Sequence, residues 1–180
     1  MPTRFSTNVI KKAAEGRTTI LDAGCGIGAQ ALYLARENSG RLVSGYDMSP
    51  ESVSKAKRYK ERLAVPNVFF MVGTHDEFQS DYSPDMIYTS ESLVGEHEGT
   101  SYFAGDEELV RRRILKFRNT LAPSGIYVIT WCANMYAGKK FIGVAESCGF
   151  RLSRAVTGAC PYIEFMQDPM FQTGMIFEAV

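Results

Sequence analysis

Among its four cysteines, Cys25, Cys132, Cys148 and Cys160, the sequence has no C-x-x-C pair and no zinc-ligand spacing. A vicinal redox pair and a structural zinc are thereby excluded. No metal site is expected, and the thiols read as reduced and mostly buried. An excess of one charge is also missing: Lys and Arg number 20, and Asp and Glu number 20. A chain without net charge has no general attraction for nucleic acid or an anionic membrane, so neither is expected as a partner. No apolar run is long enough to span a bilayer, and residues 1–16 lack the apolar stretch of a secretory signal. The expectation is a cytoplasmic protein. There is no internal repeat and no low-complexity linker. The 180 residues suit a single domain with a real core.

What the sequence does have is one stretch on which the rest can be hung, Ile20-Leu21-Asp22-Ala23-Gly24-Cys25-Gly26-Ile27-Gly28-Ala29-Gln30. An apolar run enters, three glycines turn it, and a helical pattern leaves through Ala31, Leu32, Leu34 and Ala35. Glycine lets backbone come close to a ligand, and a helix N-terminus offers unpaired N–H groups. The turn reads as a cradle for a nucleoside cofactor. Gly24, Gly26 and Ala29 fit the relaxed dinucleotide pattern G-x-G-x-x-G/A. Asp22 and Gly28 argue for another cofactor. A carboxylate at the mouth of the turn repels a pyrophosphate but suits a cationic amine or sulfonium. Gly28 extends the pattern to G-x-G-x-G.

The stretch from Leu21 to Gly28 closely resembles the first motif of the class I S-adenosylmethionine-dependent methyltransferases. The resemblance implies S-adenosyl-L-methionine as cofactor, S-adenosyl-L-homocysteine as product, and Asp22, Gly24, Cys25, Gly26 and Gly28 as cofactor-binding residues. The alternation of strand and helix patterns by itself predicts an α/β sandwich with a mainly parallel sheet. The resemblance adds the detail: a three-layer αβα sandwich on a Rossmann-like seven-stranded sheet of order 3-2-1-4-5-7-6, with strand 7 antiparallel.

In chain order, the pattern predicts a short helix over about 6–15 and a first strand over about 18–23. So little chain before the turn implies a minimal N-terminal lid. A second strand over about 41–46 ends at Asp47, where an acid can accept both ribose hydroxyls. Asp47 could instead cap the next helix, but Ser49-Pro50-Glu51 supplies a better cap and leaves Asp47, with Met48 beside it, to the cofactor. The basic helix over about 50–63 reads as a solvated face. Val68-Phe69-Phe70-Met71-Val72 reads as a strand buried on both faces. In Gly73-Thr74-His75-Asp76, Thr74 stands where the family usually has an acid. The resemblance implies an adenine contact here, with Thr74 and His75 lining the pocket. Asp76 reads equally as adenine partner or surface acid.

A fourth strand over about 85–89 runs into Ser90 and Glu91, which should face the transferred methyl. No Asn-Pro-Pro-Tyr-like sequence follows it. Glu91 and His97 are the candidate proton acceptors, and the crowd of Glu91, Glu96 and Glu98 favours a neutral or cationic acceptor. Trp131, Tyr136, Tyr102 and Phe103 read either as acceptor walls or as core. A helix is expected over about 106–121, with Arg111, Arg112 and Arg113 on exposed faces. Leu121-Ala122-Pro123-Ser124-Gly125 then resembles the family's turn into strand 5. Further strands are expected over about 126–131, 150–156 and 171–179, with a helix over about 139–148. The reading is a methyltransferase acting on a small-molecule amine or hydroxyl. The alternatives are a protein or RNA methyltransferase, or a non-catalytic cofactor-binding subunit. Cover for the pocket would come from the loops near 94–105 and 158–169, or from a homodimer mate or partner subunit.

Overall fold

The computed structural model describes residues 4–90, 107–133, 135–159 and 171–180. Helix α1 (Arg4–Ala13) leads into β1 (Thr19–Ala23), α2 (Ala29–Glu37), β2 (Leu42–Asp47), α3 (Pro50–Arg62), β3 (Val68–Val72) and β4 (Met86–Ser90). Then come α4 (Glu107–Thr120), β5 (Ile126–Ala133), α5 (Met135–Ser147), β6 (Phe150–Ala159) and β7 (Phe171–Ala179). The strands form one sheet of order β3-β2-β1-β4-β5-β7-β6, as the resemblance implied. Strands β1 to β5 run parallel, and β7 runs antiparallel between β5 and β6.

Alternation along each strand sends neighbours to opposite faces. Ile20, Val43, Val68, Phe70 and Val128 pack under α1, α2 and α3 against Ile10, Leu34, Val53 and Ala56. Leu21, Ile87, Tyr127, Ile129 and Phe177 pack on the other side against Ile114, Phe117, Phe141, Val144 and Ala145 of α4 and α5. The strands in the middle are covered twice. Strand β3 is not: Phe69, Met71 and Val72 are 49%, 40% and 54% exposed. The apolar run that reads as a doubly buried strand is the edge of the sheet, and its second face lies beyond the cover that α4 and α5 give to β4, β5 and β7. The Lys60 ammonium stands 4.5 Å from the Phe69 ring centre and partly shields it.

At the other end of the strands one buried cation ties three elements together. Arg41 donates to the carbonyls of Arg17 (3.1 Å), Leu34 (2.9 Å) and Ala14 (2.8 Å). Two of these carbonyls belong to the ends of α1 and α2, where helices leave acceptors unpaired and favour positive charge. No helix among the described residues is long and apolar enough to cross a membrane. Replacing Arg41 with Met keeps the stem but strands three carbonyls. This should destabilise the fold by roughly 2–4 kcal/mol in urea unfolding. Lys57→Met, on the exposed side of α3, should change it by less than about 0.5 kcal/mol.

Candidate active site

The glycine turn between β1 and α2 is built largely by backbone bonds. Gly24, Gly26 and Gly28 all have positive φ, at 86°, 51° and 77°. The N–H groups of Gly24 and Cys25 both donate to the Tyr46 carbonyl at 2.9 Å, and Gly28 N–H donates to the Cys25 carbonyl at 2.9 Å. The glycines differ in what they face. A Cβ on Gly28 would stand 2.5 Å from the Phe70 ring and 3.0 Å from Ala56, so this glycine closes the turn onto the core. A Cβ on Gly26 would meet nothing within 4 Å, so this glycine faces open space. Gly28 caps α2 with no side-chain bond, leaving the helix's leading N–H groups at the same end of the sheet.

Asp47 closes the opposite wall. Its Oδ2 accepts the Gly26 N–H at 2.8 Å and its Oδ1 accepts the Ser49 N–H at 2.9 Å. Ser49 caps α3 through its own side chain, accepting the Ser52 N–H at 3.2 Å. The sequence reading frees Asp47 from the cap. In the structure both of its oxygens are held by backbone, each with a second lone pair still available. The carboxylate is thus oriented before any ligand arrives. Met48 follows it and is 72% exposed.

Asp22 lies beneath the turn at 2% exposure. Burial pushes its carboxyl up to about 7, the Tyr88 hydroxyl on β4 offsets part of this, and the nearby Asp47 adds to it. The Tyr88 hydroxyl is itself buried and makes no bond of ordinary hydrogen-bond geometry. At 2% exposure Asp22 acts on a bound cation mainly through its field, which a dry interior transmits well. Burial, with Asp22 and Asp47 adding, also pushes the Cys25 thiol far up, so it is not a nucleophile at neutral pH.

The segment after β3 completes the third side. Gly73 N–H donates to the Asp47 carbonyl at 3.0 Å, which places the segment at the same strand ends. The Thr74 hydroxyl donates to the Glu77 carboxylate at 2.9 Å and accepts the Glu77 N–H at 3.2 Å. His75 is 8% exposed, and its Nδ1 shares a hydrogen bond with the Tyr46 hydroxyl at 2.8 Å. Asp76 pairs with Arg112 at 3.2 Å and Arg113 at 3.1 Å on α4. Burial works against its charge, but Arg113 and then Arg112 outweigh it and hold the carboxyl below its usual range. Arg113 is largely buried, where the helix pattern puts it on an exposed face.

Ser90 ends β4, and its Oγ accepts from the Thr130 hydroxyl at 3.1 Å. Trp131 sits in the core beside Phe141. Glu91, His97, Glu96, Glu98, Tyr102 and Phe103 lie outside the described residues, as does the side chain of Tyr136. Two supports had no signal in the sequence: the Tyr46 carbonyl that holds the turn, and the Phe70 ring that makes Gly28 obligatory. A separate groove of about 590 Å³ runs along the outside of α2 and α3 past Tyr33, Arg36 and Arg62. It touches neither Asp22 nor Asp47.

The Asp22 carboxyl gives two pH-dependent expectations. Its raised value makes the folded state hold a proton that the unfolded state releases. Stability should therefore fall as pH rises from the ordinary carboxylate range to about 7, and level off above it. Asp22→Asn should remove that slope in thermal melts across this range. A ligand cation favours the charged form, so affinity for S-adenosylhomocysteine should drop by up to about tenfold per unit below pH 7. That dependence should also vanish in Asp22→Asn.

The site's parts fit the group the turn resembles: an open glycine, a fixed carboxylate and a buried acid at one end of a parallel sheet. Comparison with known proteins agrees. A family model described as a methyltransferase domain matches residues 14–160. An uncharacterized RNA methyltransferase of Halalkalibacterium halodurans is 32% identical over 95 residues, 49% of this chain and 20% of that protein. The chain thus spans about a fifth of that relative's length. Among solved structures, the [4+2]-cyclase SpnF superposes with a TM-score of 0.77 at 17% identity, over 97% of this chain and 80% of that one. The N-methyltransferase NodS of Bradyrhizobium japonicum, solved with S-adenosylhomocysteine, gives 0.74 at 17% identity, over 98% and 88%. With the match running from the end of α1 through β6 and the sheet order in agreement, the chain belongs to the class I S-adenosylmethionine-dependent methyltransferases.

Proposed function

We propose that the protein transfers a methyl group from S-adenosylmethionine to a small-molecule amine or hydroxyl. The observation that carries the acceptor class is the charge at the strand ends. The residues gathered there are Asp22, Gly26, Asp47, Met48, Thr74, His75, Asp76 and Ser90, with three carboxylates and no Lys or Arg. Arg112, Arg113 and Lys116 all converge on Asp76, so the acids of the site with no Lys or Arg partner among the described residues are Asp22 and Asp47. The end of the site held by Asp22 and Asp47 disfavours a polyanion and tolerates a neutral or cationic acceptor. The competing acceptor is RNA, favoured by the relative named as an RNA methyltransferase, though that likeness covers only half of this chain. The fold does not decide the matter, since a [4+2]-cyclase shares it.

The bound cofactor would supply an electrophilic methyl on sulfur. The protein's part is placement and exclusion of water. Asp47 would accept the ribose hydroxyls on its free lone pairs. The backbone at Gly24 and Gly26 would carry the methionine end, with the Asp22 field favouring its ammonium. Thr74, His75 and Asp76 would stand on the adenine side. Ser90 would border the acceptor, and Glu91, next in the chain, would take the acceptor's proton, with His97 as the second candidate. Helix α1 is committed to the sheet, with Phe5 packed against Gly158 and Val9 against Gly174, so it offers no lid. We assign any cover to the loops near 94–105 and 158–169, which lie almost wholly outside the described residues, completed by a homodimer mate or a partner subunit, and the compartment to the cytoplasm.

Two measurements test this. Asp47→Ala should weaken S-adenosylhomocysteine binding by about 1.5–3 kcal/mol in calorimetry, the scale of lost charge-assisted hydrogen bonds. NAD should show no comparable binding to the wild type. In a turnover screen of amines, phenols, carboxylic acids and a transfer-RNA pool, amines or phenols should be methylated, and Glu91→Gln should lower the rate at least tenfold. Turnover on RNA alone would reverse the acceptor assignment.

A further inference from the structure

Tyr46 touches both walls of the cofactor site from the core side. Its carbonyl receives the N–H groups of Gly24 and Cys25, which fixes the height of the glycine turn above β2. Its hydroxyl meets His75 Nδ1 at 2.8 Å, in the segment that follows β3. Its ring stacks on Phe78 of the same segment, with centres 4.2 Å apart and planes 15° from parallel. The segment is held on its far side as well. The His75 ring stands edge-on to Phe117 of α4 at 5.7 Å, and Lys116 donates to the Asp76 carbonyl at 2.6 Å.

Two links among the described residues join the turn to the segment. One is through Asp47, whose carboxylate binds Gly26 and whose carbonyl receives Gly73 N–H. The other is through Tyr46. The Asp47 link sits where the ligand sits, and a bound ribose would draw on the same carboxylate. The Tyr46 link lies in the core, at 1% exposure, and needs nothing from the ligand.

We propose that the Tyr46–His75 pair is a positioning device that sets the spacing of the two cofactor walls. Tyr46 and His75 do not touch the reacting atoms in this scheme. They hold the glycine turn and the 73–78 segment at the separation that a ligand spanning both walls requires. Without the tie, part of the binding energy goes into restoring that spacing, and affinity falls. The inference rests on the glycine turn being the S-adenosylmethionine cradle.

Calorimetry with S-adenosylhomocysteine, with a thermal melt of each variant, tests it. Tyr46→Phe keeps the ring and the backbone carbonyl and deletes one hydroxyl. It should weaken binding about three- to tenfold, the range of one buried hydrogen bond. His75→Leu should weaken it similarly. His75→Asn, whose amide reaches the Nδ1 position and can act as donor or acceptor, should recover most of the loss. The double variant Tyr46→Phe with His75→Leu should bind no worse than the weaker single, because one bond is removed in all three. A pair that only stabilises the core would lower the melting temperature and leave affinity within about twofold of the wild type, and that result overturns the proposal. Independent, additive losses in the double variant overturn it too. Failure of the wild type to bind S-adenosylhomocysteine would instead strike at the cofactor assignment.

Discussion

The site depends on how closely the turn after β1 approaches the strands beside it. One added carbon on Gly28 would sit 2.5 Å from the Phe70 ring, and one on Gly45 would sit 2.9 Å from the Cys25 Cβ. With both positions bare, the turn settles onto β2 and its N–H groups reach the Tyr46 carbonyl. Gly26 N–H then reaches the Asp47 carboxylate. The orientation of the acid and the rise of α2 follow from that contact. The packing of Phe70 under the helices follows from it too. A side chain at either glycine would lift the turn and release them together.

The charges of the fold are sorted by the polarity of its elements. At the carboxyl ends of the strands, where the leading N–H groups of α2 and α3 gather, the charged residues of β1 and β2 are the acids Asp22 and Asp47. Asp47 accepts two backbone N–H groups there. At the opposite ends, where α1 and α2 finish, the buried charge is Arg41 and its partners are three carbonyls. Asp47 and Arg41 each meet backbone groups beside helix ends. Asp85 breaks the sorting, an acid at the Arg41 end that accepts the Thr18 and Thr19 N–H groups, and Asp22 breaks it too, with no backbone donor described for it and its carboxyl pushed up by burial. An acid stored in that state is costly to the empty fold and useful to a site that receives a cation.

Edges and interiors use the same residue types differently. Val68 and Phe70 are core, while Phe69 and Met71, from the same strand, face water on the uncovered side. Arg112 and Arg113 are neighbours in sequence, yet one side chain is 62% exposed and the other 13%. In both cases the strand or helix pattern is ordinary. What differs is how much of the fold packs around each side chain, since both guanidinium groups reach Asp76.

The sequence by itself determined the parts whose causes are local. Glycines with positive φ mark the turn, and Ser49-Pro50-Glu51 starts α3. The apolar spacing of Phe141, Val144, Ala145 and Cys148 marks the inner face of α5. The order of strands came from the resemblance carried by residues 21–28 rather than from periodicity, which carries no record of which strand lies beside which. Only the tertiary structure decided that one face of β3 is left open, that Arg113 is buried, and that His75 and Tyr46 meet across 29 residues of chain. It also decided that Asp47 is gripped by two N–H groups instead of standing free. Those outcomes depend on distances between segments far apart in sequence. A contact of that kind leaves no trace in the residues on either side of it, because propensity and patterning act over a few residues and burial is settled by whatever packs opposite.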